Sequence, residues 1–333
     1  MKKIIIIGNG FDLNLGYKTK FQDFFKWLLI KLLTTADSGE SINNHYPKKL
    51  FELKKPIRHV DANSKIDSIM EKGNSNEYIS FASILIHILM KAYAKNHNWF
   101  CIEKIIFENI KEYFYQPGFD ENDKKNAYIS INHSVKFLSD ELENYLFEET
   151  KSYKFKPVYN TKLFQILKKA ISSEDYLVLN FNYTNTIYPF LKDGHKEKVI
   201  HIHGKIHNSE NKIIIGYSSE NDELHKVMRN TNQSIEAYTY FKPNNILLRD
   251  SFKRFKDFIR CSDYEIDIIG HSCSEHDDYL LDDLFSSPHC NRITPYYYNE
   301  DDRKARLDNI FKRLKFDKNS YMKIYDSVDN ILK

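Results

Sequence analysis

The stretch KKIIIIGNGFDLNLGYKTKF, residues 2–21, runs four isoleucines straight into Gly8, Asn9 and Gly10. A short run that is apolar on both faces is typical of a strand in a parallel sheet covered by helices on each side. The chain has only ten glycines, and two of them follow this run directly. We interpret the stretch as a buried first strand that ends in a loop facing a ligand.

Composition excludes several classes of protein. The 333 residues suffice for one large core or two modest ones. The formal net charge is only +3, so bulk charge favours neither nucleic acid nor an anionic membrane as a partner. The four cysteines form no C-x-x-C pair, which gives no sign of a zinc ribbon or a disulfide framework. The first apolar run is too short for a signal peptide or a membrane span, so we expect a cytoplasmic protein.

From residue 21 to about residue 150 the pattern is helical. Apolar residues recur at spacings of three and four in FQDFFKWLLIKLL, EYISFASILIHILMKAYA, WFCIEKIIFENIKEYF and SVKFLSDELENYLFEE. The polar segments between them, KKPIRHVDANSK among them, are interpreted as connectors.

The rest of the chain alternates short apolar runs with amphipathic segments. Strands are predicted at KKIIIIG, DYLVLNFN, KVIHIHGKI, NKIIIGY, YEIDIIGH, RITPYYY and YMKIYD, and crossover helices at TKLFQILKKAIS, NILLRDSFKRFKDFIRC and DDRKARLDNIFKRLKF. The sequence therefore predicts an α/β protein with a Rossmann-like parallel sheet. The sheet domain would comprise residues 1–20 and 151–333, with a helical insertion over residues 21–150.

Glycines gather where the predicted strands end. Six of the ten are at or just beyond such ends: Gly8, Gly10, Gly16, Gly204, Gly216 and Gly270. In an open α/β sheet this edge forms the ligand crevice. A Gly-x-Gly turn ahead of a helix starting near Phe21 would direct backbone N–H groups at a phosphate, or would simply be a tight connection. Asp12 either binds a ribose hydroxyl or braces this turn.

Three further strand ends carry polar side chains. In LVLNFNYTNTI, Asn182 is expected to project into the crevice, where an amide can hold a sugar hydroxyl or a water; an Asx turn is the alternative. In VIHIHGKIH, His203 ends a strand beside Gly204, and an imidazole there suits a general base. The competing interpretation is a metal bound by both histidines of the H-x-H motif, with Glu275 or Asp277 recruited.

The segment IDIIGHSCSEHDDYLLDDLF combines a strand, a turn and the start of a helix. Ser272 in the turn can hydrogen-bond a phosphate or a ribose, whereas Asp277 and Asp278 are expected to cap the following helix. The segment PYYYNE could stack a base.

Read in chain order, GNGFDLNLGYKTKFQDF, NFNYTNTI, HIHGKI with IIIGY, and IIGHSCSEHD resemble the AbiH family of bacterial abortive-infection, phage-defence proteins. Through the same blocks the chain looks like a distant member of the sirtuin-like fold group, whose corresponding segments build an NAD site.

The resemblance implies roles for individual residues. His203 matches the catalytic histidine of the His-Gly pair, and Asn182 the asparagine that positions a water. Gly8 and Gly10 match the loop beside the pyrophosphate, and Gly270 and Ser272 the turn on the adenosine side. Together with the residues themselves, this gives His203 and Asn182 as catalytic candidates and the following binding candidates: Gly8, Asn9, Gly10, Asp12, Gly204, Gly270 and Ser272.

The chain also departs from the sirtuin pattern. Thr184 stands where sirtuins carry the aspartate of an Asn-Ile-Asp triplet, and no four-cysteine zinc module follows His203. The first departure concerns the contacts to nicotinamide, and the second argues against deacylation. What the resemblance implies is a phage-defence NAD glycohydrolase, which cleaves NAD to nicotinamide and ADP-ribose and requires no cofactor or metal.

The alternative is a sensor that binds a nucleotide or ADP-ribose without turnover, which Thr184 would favour. A nucleic-acid role for the lysine-rich helices is disfavoured, because their mixed charges are typical of solvated faces. The expected partners are NAD or a related nucleotide and a phage-derived trigger, without a membrane; whether the chain forms a homo-oligomer is left open.

Overall fold

A parallel sheet of five strands lies at the centre of the protein. The structure is a computed structural model that describes residues 1–35, 51–55, 59–72, 75, 77–81, 84–95, 102–105, 108, 121–152, 161–209, 212–215, 250–260, 262–314 and 322–332. Within them the strands are β1 (Lys2–Ile7), β2 (Phe51–Leu53), β3 (Ile79–Phe81), β4 (Tyr176–Asn180), β5 (Val199–His201), β6 (Tyr264–Ile269) and β7 (Cys290–Tyr296).

The helices of the described residues fall before, between and after these strands. They are α1 (Asn9–Asn14), α2 (Phe21–Thr35), α3 (His59–Lys72), α4 (Ile84–Ala94), α5 (Glu121–Ser152), α6 (Lys162–Ala170), α7 (Asp250–Arg260), α8 (Asp278–Ser286) and α9 (Glu300–Arg313). None of them combines the length and the apolarity that crossing a membrane requires.

The strand order β5-β4-β1-β6-β7 confirms the Rossmann-like prediction. All neighbouring strands of this sheet are parallel. Within this sheet, β4 and then β5 lie on one side of β1, and β6 and then β7 lie on its other side. The order therefore reverses between β1 and β6, and ligands of such sheets bind at this switch point, beyond the carboxyl ends of the strands.

The four isoleucines of β1 explain why this strand is central. Each is fully buried, because alternate side chains face two different helical layers. Ile4 and Ile6 pack in the core formed with α7, α8 and α9, whereas Ile5 and Ile7 pack in the core formed with α6. Full burial of such a side chain contributes roughly 1.5–3 kcal/mol.

A third core, separate from the two on the faces of the sheet, is formed by helices from the region predicted as an insertion. Side chains of α2, α3, α4 and α5 share it with Ile206, Ile213 and Ile215, which follow β5 in the chain. The division of the chain into two domains stays a prediction, but this core shows that residues after β5 contact the helical region directly.

Several local predictions were wrong, each for a physical reason. The connector KKPIRHVDANSK contains the start of α3, because the burial of Ile66 and Ile69 stabilises a helix that is polar overall. The segment EYISF contributes β3 before α4 begins, and β3 pairs antiparallel with β2. Residues 212–215 of NKIIIGY form no strand, and in YMKIYD only Ile324 makes an isolated bridge.

The structure also bears on two more predictions: the helix expected after the glycine loop, and the helix expected at WFCIEKIIFENIKEYF. The short helix α1 follows Gly8 at once, so the glycine loop does not lead into the helix at Phe21. Of WFCIEKIIFENIKEYF, residues 102–105 and 108 are helical and the others lie outside the described residues, as does Gly216.

The backbones after β1 and β6 approach each other so closely that side chains are excluded. An added Cβ would lie 2.6 Å from His271 Cα at Gly8 and 2.8 Å from Gly270 Cα at Gly10. The Gly10 N–H donates to the Gly270 carbonyl at 2.9 Å. The glycines are thus required by this contact between backbones, whether or not a ligand is bound.

Replacing Gly270 with alanine tests this contact. Gly270 has a φ of +69°, a conformation that costs other residues about 1–2 kcal/mol, and its added Cβ would overlap the Phe11 nitrogen. We expect Gly270→Ala to lower the free energy of unfolding by about 2–5 kcal/mol, measured by urea denaturation. Gly194→Ala is the matched control, since Gly194 has a φ of +79° with open space around it. Equal losses in the two variants would contradict the close-contact argument.

Candidate functional site

A cavity of about 370 Å³ lies at the switch point of the sheet. It is lined by eight of the nine residues predicted from the sequence: Gly8, Asn9, Gly10, Asp12, Asn182, His203, Gly270 and Ser272. Gly204 is not among the lining residues, and the Lys212 carbonyl fills the space next to its Cα. Segments far apart in the chain therefore converge here, while the roles of their side chains stay predictions.

One carboxylate in the cavity holds two imidazoles. Asp277 Oδ1 lies 2.9 Å from His203 Nε2, and Asp277 Oδ2 lies 3.2 Å from His271 Nε2. All three residues are buried and line the cavity. Burial alone would raise the pKa of Asp277, but the two rings hold that pKa well below its usual range. Asp277 is therefore an anion between two histidines.

This arrangement corrects the prediction that Asp277 caps a helix. Asp277 does occupy the position before α8, yet its side chain makes no capping hydrogen bond. A capping carboxylate would have to turn towards the backbone N–H groups of the helix, whereas this one is turned towards the two rings.

The loop after β6 fixes the tautomer of His271. The Cys273 N–H donates to His271 Nδ1 at 3.0 Å, so Nδ1 is an acceptor and Nε2 carries the proton that Asp277 accepts. Cys273 adopts a φ of +52°, an uncommon conformation for a residue with a side chain. Burial lowers the pKa of His271, which keeps its ring neutral at physiological pH.

Both the backbone and the side chain of His203 make contacts that fix its position. Its carbonyl accepts from the Ile214 N–H at 2.8 Å, and its ring contacts the edge of Phe181 with a centroid distance of 5.3 Å. Because Nε2 is used for Asp277, Nδ1 is the ring nitrogen left for a ligand in the cavity. This is the geometry of a base oriented by a carboxylate.

Asp12 is a second buried carboxylate in the same cavity. Thr184 Oγ1 donates to its Oδ2 at 2.6 Å, and Thr186 Oγ1 donates to its Oδ1. Burial raises the pKa of Asp12 to about 6, against the lowering effect of hydrogen bonds from Thr184, Thr186 and Asn182. Thr184 thus places its hydroxyl against the carboxylate of Asp12.

Asn182 links the ends of β4 and β1. Its Nδ2 donates to the Gly8 carbonyl at 3.0 Å, and its amide also hydrogen-bonds Asp12. The Asx turn weighed for this segment is formed by Asn180, whose Oδ1 accepts the Asn182 N–H at 2.9 Å. The side-chain oxygen of Asn182 is left as an acceptor for a water or a hydroxyl.

The H-x-H metal interpretation does not fit this geometry. His201 is not among the residues that line the cavity, and it lies 3.2 Å from Tyr188 Oη and 3.4 Å from the Asn182 carbonyl. Burial lowers the pKa of His201 to about 4. Glu275, suggested as a further ligand, pairs with Lys104 at 2.6 Å.

Sequence reasoning gave no role to several residues that line the cavity, among them Glu103, His271 and Arg306. It also missed Thr186, which is not a lining residue but donates a hydrogen bond to Asp12. His271 was within a quoted motif but had no assigned partner. Arg306 is on α9, whose cations were interpreted as a solvated face. Its burial could have been inferred only from its spacing to Ile310 on the same helix and to Leu314 just after the helix ends.

A larger cleft of about 790 Å³ adjoins the cavity at Ser274. Its lining is charged, and prominent members are already paired: Lys104 with Glu275, and Arg313 with Asp278 and Asp282. Its lining, taken from the described residues, includes none that directly follow β1, β4 or β5. The smaller cavity at the switch point is therefore the candidate functional site.

Comparison with known proteins identifies a family for the chain. A family model described as "Bacteriophage abortive infection AbiH" matches residues 4–298. A comparison with curated proteins finds no match. The matched range runs from β1 to just beyond β7 and so contains Asp12, Asn182, His203, His271 and Asp277.

The raised pKa of Asp12 predicts a pH dependence of stability. The carboxyl binds its proton more tightly in the folded state, at about 6, than in the unfolded state, at 3.8. The contribution of Asp12 to the free energy of unfolding is therefore largest below about pH 4 and is lost as the pH rises through about 6. Relative to Asp12→Asn, the wild type should lose about 2 kcal/mol of unfolding free energy between pH 4 and pH 7.

Urea denaturation of both proteins at a series of pH values measures this difference. The exposed Asp193 gives the control variant, Asp193→Asn, whose curve should stay parallel to that of the wild type. Parallel curves for Asp12→Asn as well would show that Asp12 ionises normally in the folded protein.

Proposed function

The chain belongs to the AbiH family of bacteriophage abortive infection proteins, and from that premise we propose that its cavity hydrolyses NAD to nicotinamide and ADP-ribose. The observation that carries the proposal is the His203–Asp277 pair, which lines one buried cavity together with Asn182 and Asp12. Loss of NAD would stop the metabolism of an infected cell, in keeping with a role in phage defence.

The chemistry needs groups that this cavity contains. When the bond between nicotinamide and ribose breaks, nicotinamide leaves with the electron pair and positive charge develops on the ribose. A water then adds to the ribose carbon and gives up a proton. His203 Nδ1 would accept that proton while Asp277 stabilises the imidazolium, and the Asn182 side-chain oxygen would orient the water.

Asp12 supports the same reaction. An anion next to a developing positive charge stabilises the transition state most when the site is buried and preorganised. The hydrogen bond from Thr184 fixes the Asp12 carboxylate next to the position that holds an aspartate in sirtuins. Because Asp12 supplies a carboxylate next to Thr184, the threonine at this position is weaker support for a sensor without turnover.

Removing the base tests the proposal. We expect His203→Ala to lower the rate of nicotinamide release from NAD by about 100- to 10,000-fold, as for other positioned acid–base groups. Asn182→Ala should also lower the rate. The measurement is chromatography of nicotinamide and ADP-ribose after incubation of purified protein with NAD.

A second histidine–aspartate pair supplies the control. His289 Nδ1 lies 3.2 Å from Asp263 Oδ1, with both side chains substantially exposed at the opposite edge of the sheet. His289→Gln should leave the rate unchanged. Full activity in both His203→Ala and Asn182→Ala would overturn the site assignment. Tight binding of ADP-ribose with NAD left intact by the wild type would instead establish the sensor alternative.

The ionisation of Asp12 predicts the pH profile of the reaction. If its anion stabilises the transition state, kcat/KM should rise with pH through about 6 and level off above it. In Asp12→Asn the rate should be lower and this rise should disappear. A rise of the same shape in the variant would assign the titration to another group.

A further inference from the structure

We infer that Arg306 binds the phosphate groups of a ligand that extends across two adjoining cavities. The inference rests on the proposed function for the placement of nicotinamide in the first cavity. The anion site itself is argued from the contacts of Arg306.

Arg306 is a buried cation with unused hydrogen-bond donors. Its residue is 7% exposed, and its Nη2 pairs with Asp302 at 2.6 Å and 2.7 Å from the two carboxylate oxygens. Its Nε and Nη1 have no hydrogen-bond partner among the described residues. Leaving such donors unpaired in the interior is costly, more so in a charged group. An arrangement of this kind is expected where a ligand supplies the acceptors.

The location of Arg306 is the second observation. It lines the 370 Å³ cavity and also a neighbouring cavity of about 600 Å³. The two cavities share five lining residues: Gly10, Leu13, Gly270, Asp302 and Arg306. Arg306 is therefore at the junction of the two cavities, which Gly10 and Gly270 also line.

The lining of the second cavity suits the other half of such a ligand. Tyr296 and Tyr298 offer aromatic faces, and Lys18 and Lys20 add positive charge. Asp23 and Asp302 also line it, but Asp302 is paired with Arg306. The tyrosines belong to the PYYYNE segment, in which the sequence suggested a base-stacking site.

The chemical class of the ligand follows from the order of the first cavity, Arg306 at the junction and the second cavity. A sugar and its leaving group would occupy the first cavity, a diphosphate would lie at the junction, and a base would lie in the second cavity. A guanidinium presents parallel N–H groups that match phosphate oxygens. The structure thus favours a dinucleotide with a diphosphate bridge over a single nucleoside.

Calorimetry on the full chain tests the anion site without requiring catalysis. We expect Arg306→Gln to weaken the binding of ADP-ribose by about 10- to 100-fold, as for loss of charged hydrogen bonds. Adenosine, which lacks phosphates, should bind both proteins within about twofold. Inorganic pyrophosphate should displace ADP-ribose from the wild type and not from Arg306→Gln.

Further variants keep the test valid if Arg306→Gln folds poorly. Arg306→Lys keeps the charge but not the planar fork, and should weaken ADP-ribose binding by an intermediate factor. Asp302→Asn removes the carboxylate that competes with phosphate for Arg306, and should tighten ADP-ribose binding. Arg292→Gln, at an exposed arginine paired with Glu265, is the matched control and should change nothing.

The outcomes separate this inference from the proposed function. Hydrolysis of NAD by the wild type with an unchanged KM in both Arg306 variants would overturn the inference alone. Binding of ADP-ribose that depends on Arg306, without any hydrolysis, would support the inference and overturn the proposed function. Failure of the wild type to bind ADP-ribose or pyrophosphate at millimolar concentration would overturn the inference directly.

Discussion

The contact between the backbone at Gly8–Gly10 and the backbone at Gly270 is the constraint on which the rest of the site depends. It joins the ends of β1 and β6 at the point where strand order reverses, and it tolerates no side chain on either partner. Two residues that line the cavity are positioned directly by this contact. Asn182 reaches the Gly8 carbonyl from β4, and His271 follows Gly270 directly. The glycines that looked like ligand-facing residues are thus first of all packing residues.

The cavity holds two buried carboxylates whose pKa values are moved in opposite directions. Asp12 receives hydrogen bonds from hydroxyl groups and an amide, which do not compensate fully for burial, so its pKa is raised. Asp277 is bound by two imidazoles, so its pKa is lowered. Divergent environments of this kind allow two carboxyl groups to take different roles at one pH. Asp277 stays an anion between two imidazoles, whereas Asp12 changes its charge near pH 6.

The sheet and the meeting of its strand ends were predictable because their signals are local. Runs such as Ile4–Ile7 are apolar on both faces, and parallel strands bring their carboxyl ends to a common edge. The connection between Asp277 and the two histidines was not predictable, since it depends on a loop conformation at Cys273 that no spacing reveals. Arg306 escaped notice because an amphipathic helix has the same charge pattern whether a given cation is solvated or buried. Helix α3 was missed because its stability comes from packing rather than from its own composition.

The central position of β1 also determines when the protein can fold. β1 is synthesised before both of its neighbours, since Ile4 pairs with Leu177 on one side and with Ile266 on the other. At roughly 5–20 residues per second, synthesis takes on the order of ten seconds or more to supply the second neighbour. Until then a strand of four isoleucines lacks a pairing partner on at least one edge, and unpaired apolar edges of this kind favour aggregation of incompletely folded chains in general.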